Sequence, residues 1–412
     1  MFLIENATLA DGSRAGVRLE GESVAEVGSG IDAGGADALD LSGYVLLPAP
    51  AEPHAHLDKA LSSKRVTVQP SDLEAAIEAW HAERRGLDVE EISGRAEAAA
   101  LISLERGVTA IRTHVDVGEG IELRAAEALI EVRERLRPLV DIQIVALSYP
   151  LTGTGEGAQN RELMRAAMEL GVDVVGGAPH IDPDPVGQIE FCLDLAREYE
   201  RPVDLHMDEH MDVSGVDLVD LARLAADGFP QPITASHCVS LGLQSPEVQR
   251  RTAEDVARAG ISVVTCPATN LHLQARGERT ATPRGMTALA ALLEAGVTVA
   301  GGGDNVQDFF HPLGCGDALQ TASLLVLAGQ LDIPRAYRLV SEGARAVIGL
   351  PQGAIAPGAP ADLVAVAAAS LQEALATTTE DRVVFRRGQV ARRTRLDRER
   401  SESIDQEETH VD

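Results

Sequence analysis

The stretch Pro48–Asp58, with the sequence PAPAEPHAHLD, is the one around which the chain is organised. It follows the apolar run YVLL at residues 44–47 and carries two histidines, His54 and His56, one residue apart. Alternate side chains of an extended segment point to the same face, so both imidazoles can reach one metal ion. Imidazole is the commonest metal ligand in proteins and suits both Zn²⁺ and Fe²⁺. A lone His-x-His is a weak signal, and two histidines lining a polar cleft are the alternative.

The composition is that of an ordinary globular protein with a large negative charge. The chain has 412 residues, enough for one large domain and a smaller one, and a formal net charge of −28. This charge argues against nucleic acid and anionic membrane surfaces as partners. The four cysteines lack CxxC spacing, which favours reduced thiols in a cytoplasmic protein. No signal peptide is expected, and no apolar run approaches the length of a membrane-spanning helix.

The order of the predicted elements indicates an α/β fold with a (β/α)₈ TIM barrel. After the His-x-His, helical stretches alternate with short β-rich runs, which gives eight strands if the run before His54 is counted as the first. Such an alternation predicts a parallel barrel with its active site at the carboxyl ends of the strands. The seven later strands are predicted at residues 109–114, 141–146, 172–176, 202–206, 233–237, 261–266 and 297–301.

Both ends of the chain predict short strands that together form a second domain. Residues 1–47 contain short strands separated by turns, and residues 349–393 return to strands after a helical region that ends near Ile348. We expect these two segments to form a small β-sandwich, and residues 48–348 to form the barrel. Residues 394–412 are rich in charge and poor in apolar residues, which predicts a disordered tail.

Residues with metal-ligand chemistry fall at the ends of four predicted strands. They are His54 and His56 (strand 1), His206 (strand 5), His237 (strand 6) and Asp304 (strand 8). Three imidazoles and a carboxylate leave an open position for water, as a catalytic metal site requires. A metal ion in such a site lowers the pKa of its water toward neutrality and so produces hydroxide. Glu209, three residues after His206, can carry protons between that water and the substrate.

Other polar residues near these strand ends have less specific interpretations. We expect His114 to form hydrogen bonds in the barrel mouth rather than to bind metal, and His210 to lie on the surface or in a lid. His272 either orients the substrate or satisfies a loop, and both interpretations stay open. Asp58 and Asp116 are expected to anchor loops.

The lysines limit the number of metal ions. Barrel hydrolases with two metal ions commonly bridge them with a carboxylated lysine at the end of strand 4. That strand ends here in GGAPH, residues 176–180, and the only lysines of the chain, Lys59 and Lys64, follow strand 1. A lysine-bridged dinuclear centre is therefore excluded, and one divalent ion, Zn²⁺ or Fe²⁺, is expected.

Taken together, these segments resemble the amidohydrolase superfamily and, within it, the cytosine deaminase group with its N-isopropylammelide isopropylamidohydrolase relatives. The matching segments are EPHAHLD (52–58), RTHVDV (112–117), DLHMDE (204–209), TASH (234–237), NLHLQ (270–274), Asp304 with its loop to Gly314, and GAIAPGAPADL (353–363). The similarity covers nearly the whole chain except the tail. It implies a distorted (β/α)₈ barrel with a flanking β-sandwich and one Fe²⁺ or Zn²⁺.

The resemblance also implies roles for individual residues. The residues that look like metal ligands are His54, His56, His206 and Asp304. Glu209 resembles the proton shuttle, His237 resembles the histidine that polarises or orients the attacking water, and Asp304 would accept the proton of that water. The implied reaction is attack of metal hydroxide on an amidine carbon of a nitrogen heterocycle, with protonation of the ring nitrogen by Glu209 and loss of ammonia.

Two departures from the group concern the substrate. Cytosine deaminases place a glutamine after strand 3, where this chain has Ser148 and Tyr149, and a second aspartate beside the metal ligand, where this chain has Asn305. Asparagine can donate a hydrogen bond whereas an ionised aspartate only accepts, so cytosine itself is not favoured. We expect Tyr149, Ser148, His272 and Asn305 to contact the substrate. The loop 308–311, with Phe310, is expected to form an aromatic wall.

Three functions are compatible with the sequence. The first is a mononuclear metal-dependent deaminase of a cytosine-like pyrimidine, a triazine or a related ring. The second is a C–N hydrolase of the same superfamily that releases an alkylamine or cleaves an amide. The third, a metal-free barrel kept for binding, is disfavoured by the intact set of ligands. A small heterocyclic substrate and a homo-oligomeric state complete the expectations.

Overall fold

The structure is a computed structural model that describes residues 1–67, 70–226 and 228–397. From residue 398 onward, the predicted disordered tail at 394–412 lies outside the described residues. The described part contains an eight-stranded parallel sheet closed into a barrel and a separate, mainly antiparallel sheet built from both ends of the chain. The predicted fold class, a (β/α)₈ barrel with a small β-sandwich domain, is confirmed. The boundaries assigned to these domains stay predictions.

Five strands precede the barrel: Phe2–Thr8 (β1), Arg14–Glu20 (β2), Ser23–Gly28 (β3), Asp37–Asp40 (β4) and Tyr44–Pro48 (β5). The apolar run before His54 is β5 and belongs to this sheet, as the predicted domain bounds have it, although the strand count included it among the eight barrel strands. Every residue of this run is apolar because both faces of β5 are buried, each against a different core. Val45 and Leu47 pack into the large core around the barrel, and Leu46 packs into the separate core of the end-domain sheet.

Eight parallel strands form the barrel, and each pairs with the next along the chain. They are Glu52–Ala55 (β6), Ala110–Asp116 (β7), Asp141–Leu147 (β8), Val174–Gly177 (β9), Val203–Met207 (β10), Ile233–His237 (β11), Ile261–Thr265 (β12) and Val299–Gly301 (β13). The last seven lie within two residues of their predicted bounds. The first is not the run at residues 44–47 that was counted as the first strand but the segment that follows it, Glu52–Ala55.

Helices follow the barrel strands and cover the outside of the barrel. They are Leu73–Arg84 (α1), Val89–Glu105 (α2), Arg124–Leu136 (α3), Glu156–Leu170 (α4), Pro185–Tyr199 (α5), Asp217–Ala225 (α6), Pro246–Arg258 (α7), Pro267–Leu273 (α8), Leu289–Glu294 (α9), Ala318–Leu327 (α10), Ile333–Arg338 (α11) and Ala344–Ile348 (α12). A π-helical turn at Leu339–Gly343 joins α11 to α12. In the described part of the chain, no helix is long and apolar enough to cross a membrane.

The chain returns to the first sheet after the barrel. Leu363–Ala367 (β14) is followed by the helix Leu371–Thr377 (α13) and by Arg382–Arg386 (β15) and Gln389–Thr394 (β16). The strand order is β16-β15-β14-β5-β1-β2-β3, with β4 parallel to β1, so β5 joins the two ends of the chain. Val17, Leu363 and Phe385 are among the residues of the core of this sheet.

The barrel closes between β6 and the residues that follow β13, and few backbone contacts hold this seam. Ala55 forms an isolated bridge with Asp304, whose main-chain N donates to the His54 carbonyl at 2.9 Å. The Glu52 carboxylate completes the closure by accepting from His54 N at 3.0 Å and from Gly303 N at 2.8 Å. A Cβ on Gly303 would lie 2.7 Å from this carboxylate, so the close approach favours glycine.

Candidate metal centre and active site

Three histidines and one aspartate converge at the carboxyl end of the barrel. Nε2 of His56 lies 3.2 Å from Nε2 of His206 and 3.4 Å from Oδ1 of Asp304. Nε2 of His54 lies 3.8 Å from the same Asp304 oxygen. Ligands about 2.1 Å from a tetrahedral zinc ion are roughly 3.4 Å apart. These three separations suit ligands of one metal ion, and the assignment of the four residues as its ligands stays a prediction.

The chemical state of these groups also fits a bound cation. Burial lowers the pKa of His54, His56 and His206 well below the ordinary value, so all three rings are neutral and offer a lone pair. Burial raises the pKa of Asp304 and so disfavours its ionised carboxylate. A neighbouring cation would stabilise that carboxylate. In the described part of the chain, Nε2 of His54 is buried and has no hydrogen-bond partner. A metal ion would supply that partner.

Glu209, His237 and Asn270 form a second group beside these residues. Oε1 of Glu209 accepts from Nδ2 of Asn270 at 3.0 Å and lies 3.3 Å from Nδ1 of His237. Burial raises the pKa of Glu209 to about 8, so this carboxyl can hold a proton at neutral pH. Candidate ligand atoms of His237 and Asp304 lie within 4.8 Å of each other, which places His237 where it can orient a water beside the metal ligands.

The backbone at two of these positions is strained. His237 and Asp304 have φ values of +70° and +66°, in the left-handed region that few residues other than glycine adopt. Such conformations persist where the surrounding structure imposes them, and they cluster at functional sites. His237 is the last residue of β11 and Asp304 follows β13, so the strain lies at the carboxyl ends of two barrel strands.

A cavity opens onto both groups, with about 460 Å³ of empty space that includes the open solvent at its mouth. Its polar lining includes His56, His206, Glu209, His237 and Asp304. Its apolar lining comprises Leu73, Ile77, Leu147, Ala178, Ile181 and Phe310. A small volume with an apolar wall and a few convergent polar groups suits a small-molecule ligand.

Two further polar residues line the cavity after β8 and β9. The Tyr149 hydroxyl lies 3.3 Å from Nε2 of His81 in α1, and the two rings are stacked with centroids 5.5 Å apart. Nδ1 of His180 lies 3.2 Å from the carbonyl oxygen of His206. A carbonyl only accepts, so Nδ1 of His180 carries the ring proton and its Nε2 is left as an acceptor. Burial lowers the pKa of His180 to about 4.

Lys59 is a cavity residue whose role the sequence did not reveal. Its Nζ donates to Oδ1 of Asp116 at 2.5 Å and to Oδ2 of Asp58 at 3.4 Å. The other oxygen of Asp116 accepts from Nε1 of Trp80 at 2.7 Å and from Nη1 of Arg84 at 2.9 Å. Asp116 thus ties the lysine and α1 together. Its position at the end of a barrel strand was visible in the sequence, but its partners in α1 were not.

His180 and Asn270 were also missed as site residues. His180 stands at the end of GGAPH, which the sequence analysis used only to exclude a bridging lysine. Asn270 lies in α8, a seven-residue helix that was treated as a loop. Proline at the first position of α8 was the available signal, because proline is favoured at a helix N-terminus.

The residues predicted to contact substrate separate into two sets. Tyr149, Asn305 and Phe310 line the cavity, whereas Ser148 and His272 are not among the described residues that line it. Ser148 is buried, at 2% exposure. Nε2 of His272 lies 3.3 Å from a guanidinium nitrogen of Arg276, away from the metal cluster. The substrate contacts themselves stay predictions.

His114 and His210, which the sequence placed in the barrel mouth and on the surface or in a lid, differ in burial. His114 is fully buried, with its ring centroid 4.1 Å from that of His54 and its Nε2 3.8 Å from Oδ1 of Asp204. His210 has a side chain that is 31% exposed, and its ring lies 5.9 Å from that of His180. Neither lines the cavity in the described part of the chain.

Comparison with known proteins gives consistent matches over most of the chain. The model of the amidohydrolase family matches residues 86–392. Pterin deaminase from Rhizobium rhizogenes is 33% identical over 361 residues, which are 86% of this chain and 82% of that protein. N-isopropylammelide isopropyl amidohydrolase from a Pseudomonas species is 28% identical over 410 residues, covering 94% and 96% of the two chains.

A solved structure agrees with these matches. The 5-methylcytosine deaminase from Klebsiella pneumoniae, liganded with 5-fluorocytosine, has a TM-score of 0.88 at 30% identity. The alignment covers 97% of this chain and 100% of that one. The chain belongs to the amidohydrolase family, in its cytosine deaminase-like group, and is a hydrolase that acts on C–N bonds.

Proposed function

We propose that this protein is a mononuclear metal-dependent enzyme that hydrolytically deaminates a small nitrogen heterocycle. One observation carries the proposal: Glu209 lines the same cavity as the metal-ligand residues His56, His206 and Asp304. A proton carrier and a site for water activation thus face the same cavity, in which the substrate ring would bind. The relatives named pterin deaminase and 5-methylcytosine deaminase support the reaction type.

One divalent ion, Zn²⁺ or Fe²⁺, fits the donor set. His54, His56, His206 and Asp304 would hold it, and the ion supplies Lewis acidity and lowers the pKa of water. The buried Nε2 of His54 and the raised pKa of Asp304 both support a cation at this point.

The residues around the ion can carry out the proton transfers of the reaction. Water adds to the amidine carbon of the ring, oriented by His237, and gives a proton to the Asp304 carboxylate. Glu209, whose pKa burial raises to about 8, gives a proton to the ring nitrogen. The bond from the carbon to the exocyclic nitrogen then breaks. Ammonia leaves after taking up the proton from Asp304. The hydroxyl proton passes to the Glu209 carboxylate as the carbonyl forms, so both carboxyl groups return to their starting states and the ring keeps a carbonyl in place of the amine.

The position beside Asp304 supports a ring other than cytosine. Oδ1 of Asn305 accepts from the Thr269 hydroxyl at 3.0 Å, and its Nδ2 donates to Oδ2 of Asp308 at 2.8 Å. One N–H and one lone pair of the amide remain for a substrate, so Asn305 can donate as well as accept. We therefore favour a pterin, triazine or related ring, which includes the substrate class named for the pterin deaminase relative.

An ammonia-release assay on the full chain, loaded with zinc or iron, tests the proposal. The panel is pterin, cytosine, 5-methylcytosine, isocytosine, creatinine and amino-triazines, with Glu209→Gln as the control. We expect ammonia from at least one ring and its loss in the variant. Absence of bound metal from the wild-type protein after reconstitution would contradict the proposal.

The second candidate is a hydrolase that releases an alkylamine or cleaves an amide. The relative named N-isopropylammelide isopropyl amidohydrolase, which this chain matches over 94% of its length, favours it. N-isopropylammelide is therefore added to the panel, with isopropylamine measured alongside ammonia. Isopropylamine release with one metal bound and no ammonia from any ring would establish this function instead.

We also propose a homo-oligomer in the cytoplasm. Leu313 and Leu327, which are 76% and 74% exposed, are apolar side chains that a second subunit could cover. Light scattering on the purified full chain tests the oligomeric state, and a monomer mass at micromolar concentration would contradict it.

A further inference from the structure

A chain of buried polar groups stands behind His54, on the side away from the cavity. Nδ1 of His54 lies 2.9 Å from Oγ of Ser236, and this hydroxyl donates to Oδ1 of Asp204 at 2.8 Å. Oδ2 of Asp204 accepts from Nη1 of Arg112 at 2.9 Å. His54, Ser236 and Asp204 are 0% exposed and Arg112 is 1% exposed. The chain crosses the barrel interior from β7 through β10 and β11 to β6.

The donors and acceptors in this chain of polar groups can be assigned in only one order. Arg112 is always charged, and its contact with Asp204 favours the ionised carboxylate, which can only accept. Ser236 has a single hydroxyl proton and gives it to Asp204. Its oxygen then accepts from His54, so Nδ1 of His54 carries the ring proton. Nε2 of His54 keeps its lone pair and lies 3.8 Å from Oδ1 of Asp304.

We propose that Ser236 and Asp204 are positioning residues that fix the tautomer and ring orientation of His54, so that its Nε2 lone pair faces the metal ion. A partner behind a metal-binding histidine tunes both its orientation and its basicity. The inference rests on the metal site of the proposed function. It goes beyond that site because neither residue touches the metal-ligand atoms or lines the cavity.

The other two histidine ligands lack such support. Within the described residues, Nδ1 of His56 and Nδ1 of His206 are buried without a hydrogen-bond partner. His54 is thus the ligand whose lone pair is directed before the ion arrives. We expect it to contribute more to metal affinity than its two neighbours.

Thr234, a second partner of Arg112, provides a matched control. The Arg112 guanidinium has several acceptors besides Asp204. It also donates to Oγ1 of Thr234 at 3.1 Å, to Oε1 of Gln143 at 2.7 Å and to the Val347 carbonyl at 2.9 Å. Thr234 is on the same strand as Ser236, is 2% exposed and shares Arg112, but it forms no hydrogen bond with His54 in the described structure. Thr234→Val therefore removes a buried hydroxyl from the same layer while leaving the chain to His54 intact.

The first test is the zinc affinity of the full chain, measured by competition with a chromophoric chelator. We expect Ser236→Ala to weaken zinc binding by about 10- to 100-fold. Asp204→Asn is expected to weaken it as well, because the amide can donate to Ser236 and turn the hydroxyl proton toward Nδ1 of His54. Thr234→Val is expected to stay within roughly threefold of wild type, or about 0.65 kcal/mol. Thermal unfolding of the metal-free proteins identifies any variant that does not fold.

The second test needs no substitution in the polar chain. In protein labelled with ¹⁵N-histidine, the ring signals of His54 are assigned by their loss in His54→Asn, and the nitrogen that carries the proton is determined. Protonation at Nδ1 supports the proposal. Protonation at Nε2, or wild-type zinc affinity in a folded Ser236→Ala protein, overturns it. If the wild-type chain binds no zinc, the proposed function fails, but the tautomer of the metal-free protein still decides this inference.

Discussion

The two sides of the barrel mouth are built differently. The side that we call the metal side consists of His54, His56, His206, Glu209, His237 and Asp304. The side that we call the ring side consists of Lys59, Tyr149 and His180, which line the same cavity. Metal-side residues lie close to one another, and the chemistry of hydrolysis requires their residue types. Each ring-side residue is instead held by a partner that does not line the cavity or by a main-chain carbonyl.

If the substrate ring contacts the ring side, we expect this difference to separate the reaction from the choice of substrate. Lys59 is fixed by Asp116, Tyr149 contacts His81, and His180 is oriented by the carbonyl of His206. Two of these three contacts depend on α1, because His81 lies in it and Asp116 binds Trp80 and Arg84 of the same helix. Changes in α1 can therefore alter substrate preference without touching the metal side.

The largest expected effect is a loss of kcat when a metal-side residue is changed. Glu209→Gln removes the proton carrier but keeps the shape of the side chain and the ability to accept from Asn270. We expect kcat to fall by about 10²- to 10⁴-fold with unchanged metal content. Steady-state kinetics and elemental analysis measure the two quantities. Glu190→Gln, at an exposed position of α5, is the control, and a Glu209→Gln enzyme with more than a tenth of wild-type kcat would contradict the proposed role.

The second-largest expected effect is a loss of unfolding free energy when the residue that anchors the ring side is changed. Asp116→Asn leaves Lys59 and Arg84, which are 3% and 5% exposed, without their shared carboxylate. Loss of one partner from a buried ion pair costs about 3–5 kcal/mol of unfolding free energy. Urea denaturation measures this loss. Glu254→Gln breaks the exposed pair with Arg250 and is expected to cost less than about 1 kcal/mol; equal losses in the two variants would show that Asp116 is not an anchor.

A smaller effect, on KM, is expected when only a ring-side residue is changed. Tyr149→Phe removes the hydroxyl that lies 3.3 Å from His81 but keeps the stacked ring. We expect KM to rise by about 3- to 10-fold, in line with the loss of one hydrogen bond, and kcat to change little. Saturation curves on the best substrate of the panel measure both constants. A fall in kcat with unchanged KM would instead assign Tyr149 to the metal side.

The smallest effects concern the two predicted contacts outside the cavity. Ser148→Ala and His272→Ala are expected to change kcat/KM by less than about twofold, since surface or non-contacting positions rarely shift free energies by more than about 0.5 kcal/mol. Initial rates at substrate concentrations well below KM measure this ratio for each enzyme. A tenfold loss in either variant would mean that the ring reaches further than the cavity seen here.

The metal side could be predicted from the sequence because few residue types bind metal and because β–α alternation marks the strand ends. His206 in β10 and Asp304 after β13 were predicted in this way. Of the ring side only Tyr149 was predicted. Lys59 was not, since its position depends on Asp116 and on a helix whose packing no local pattern specifies. The apolar run that became β5 was misassigned for a related reason: burial by two cores and burial inside a parallel barrel produce the same sequence pattern.

The seam of the barrel has a consequence for how the protein acquires its metal ion. Glu52 and Gly303, which join the first and last strands, are 251 residues apart in the sequence. Two proposed ligands, His54 and Asp304, lie on opposite edges of this junction, so an ion held by both would cross-link the first and last strands of the barrel. A ribosome-bound chain that has not yet produced Asp304 lacks one of the four proposed ligands. We therefore expect metal loading to be a late step of maturation, and amide exchange at the junction to slow when the ion binds.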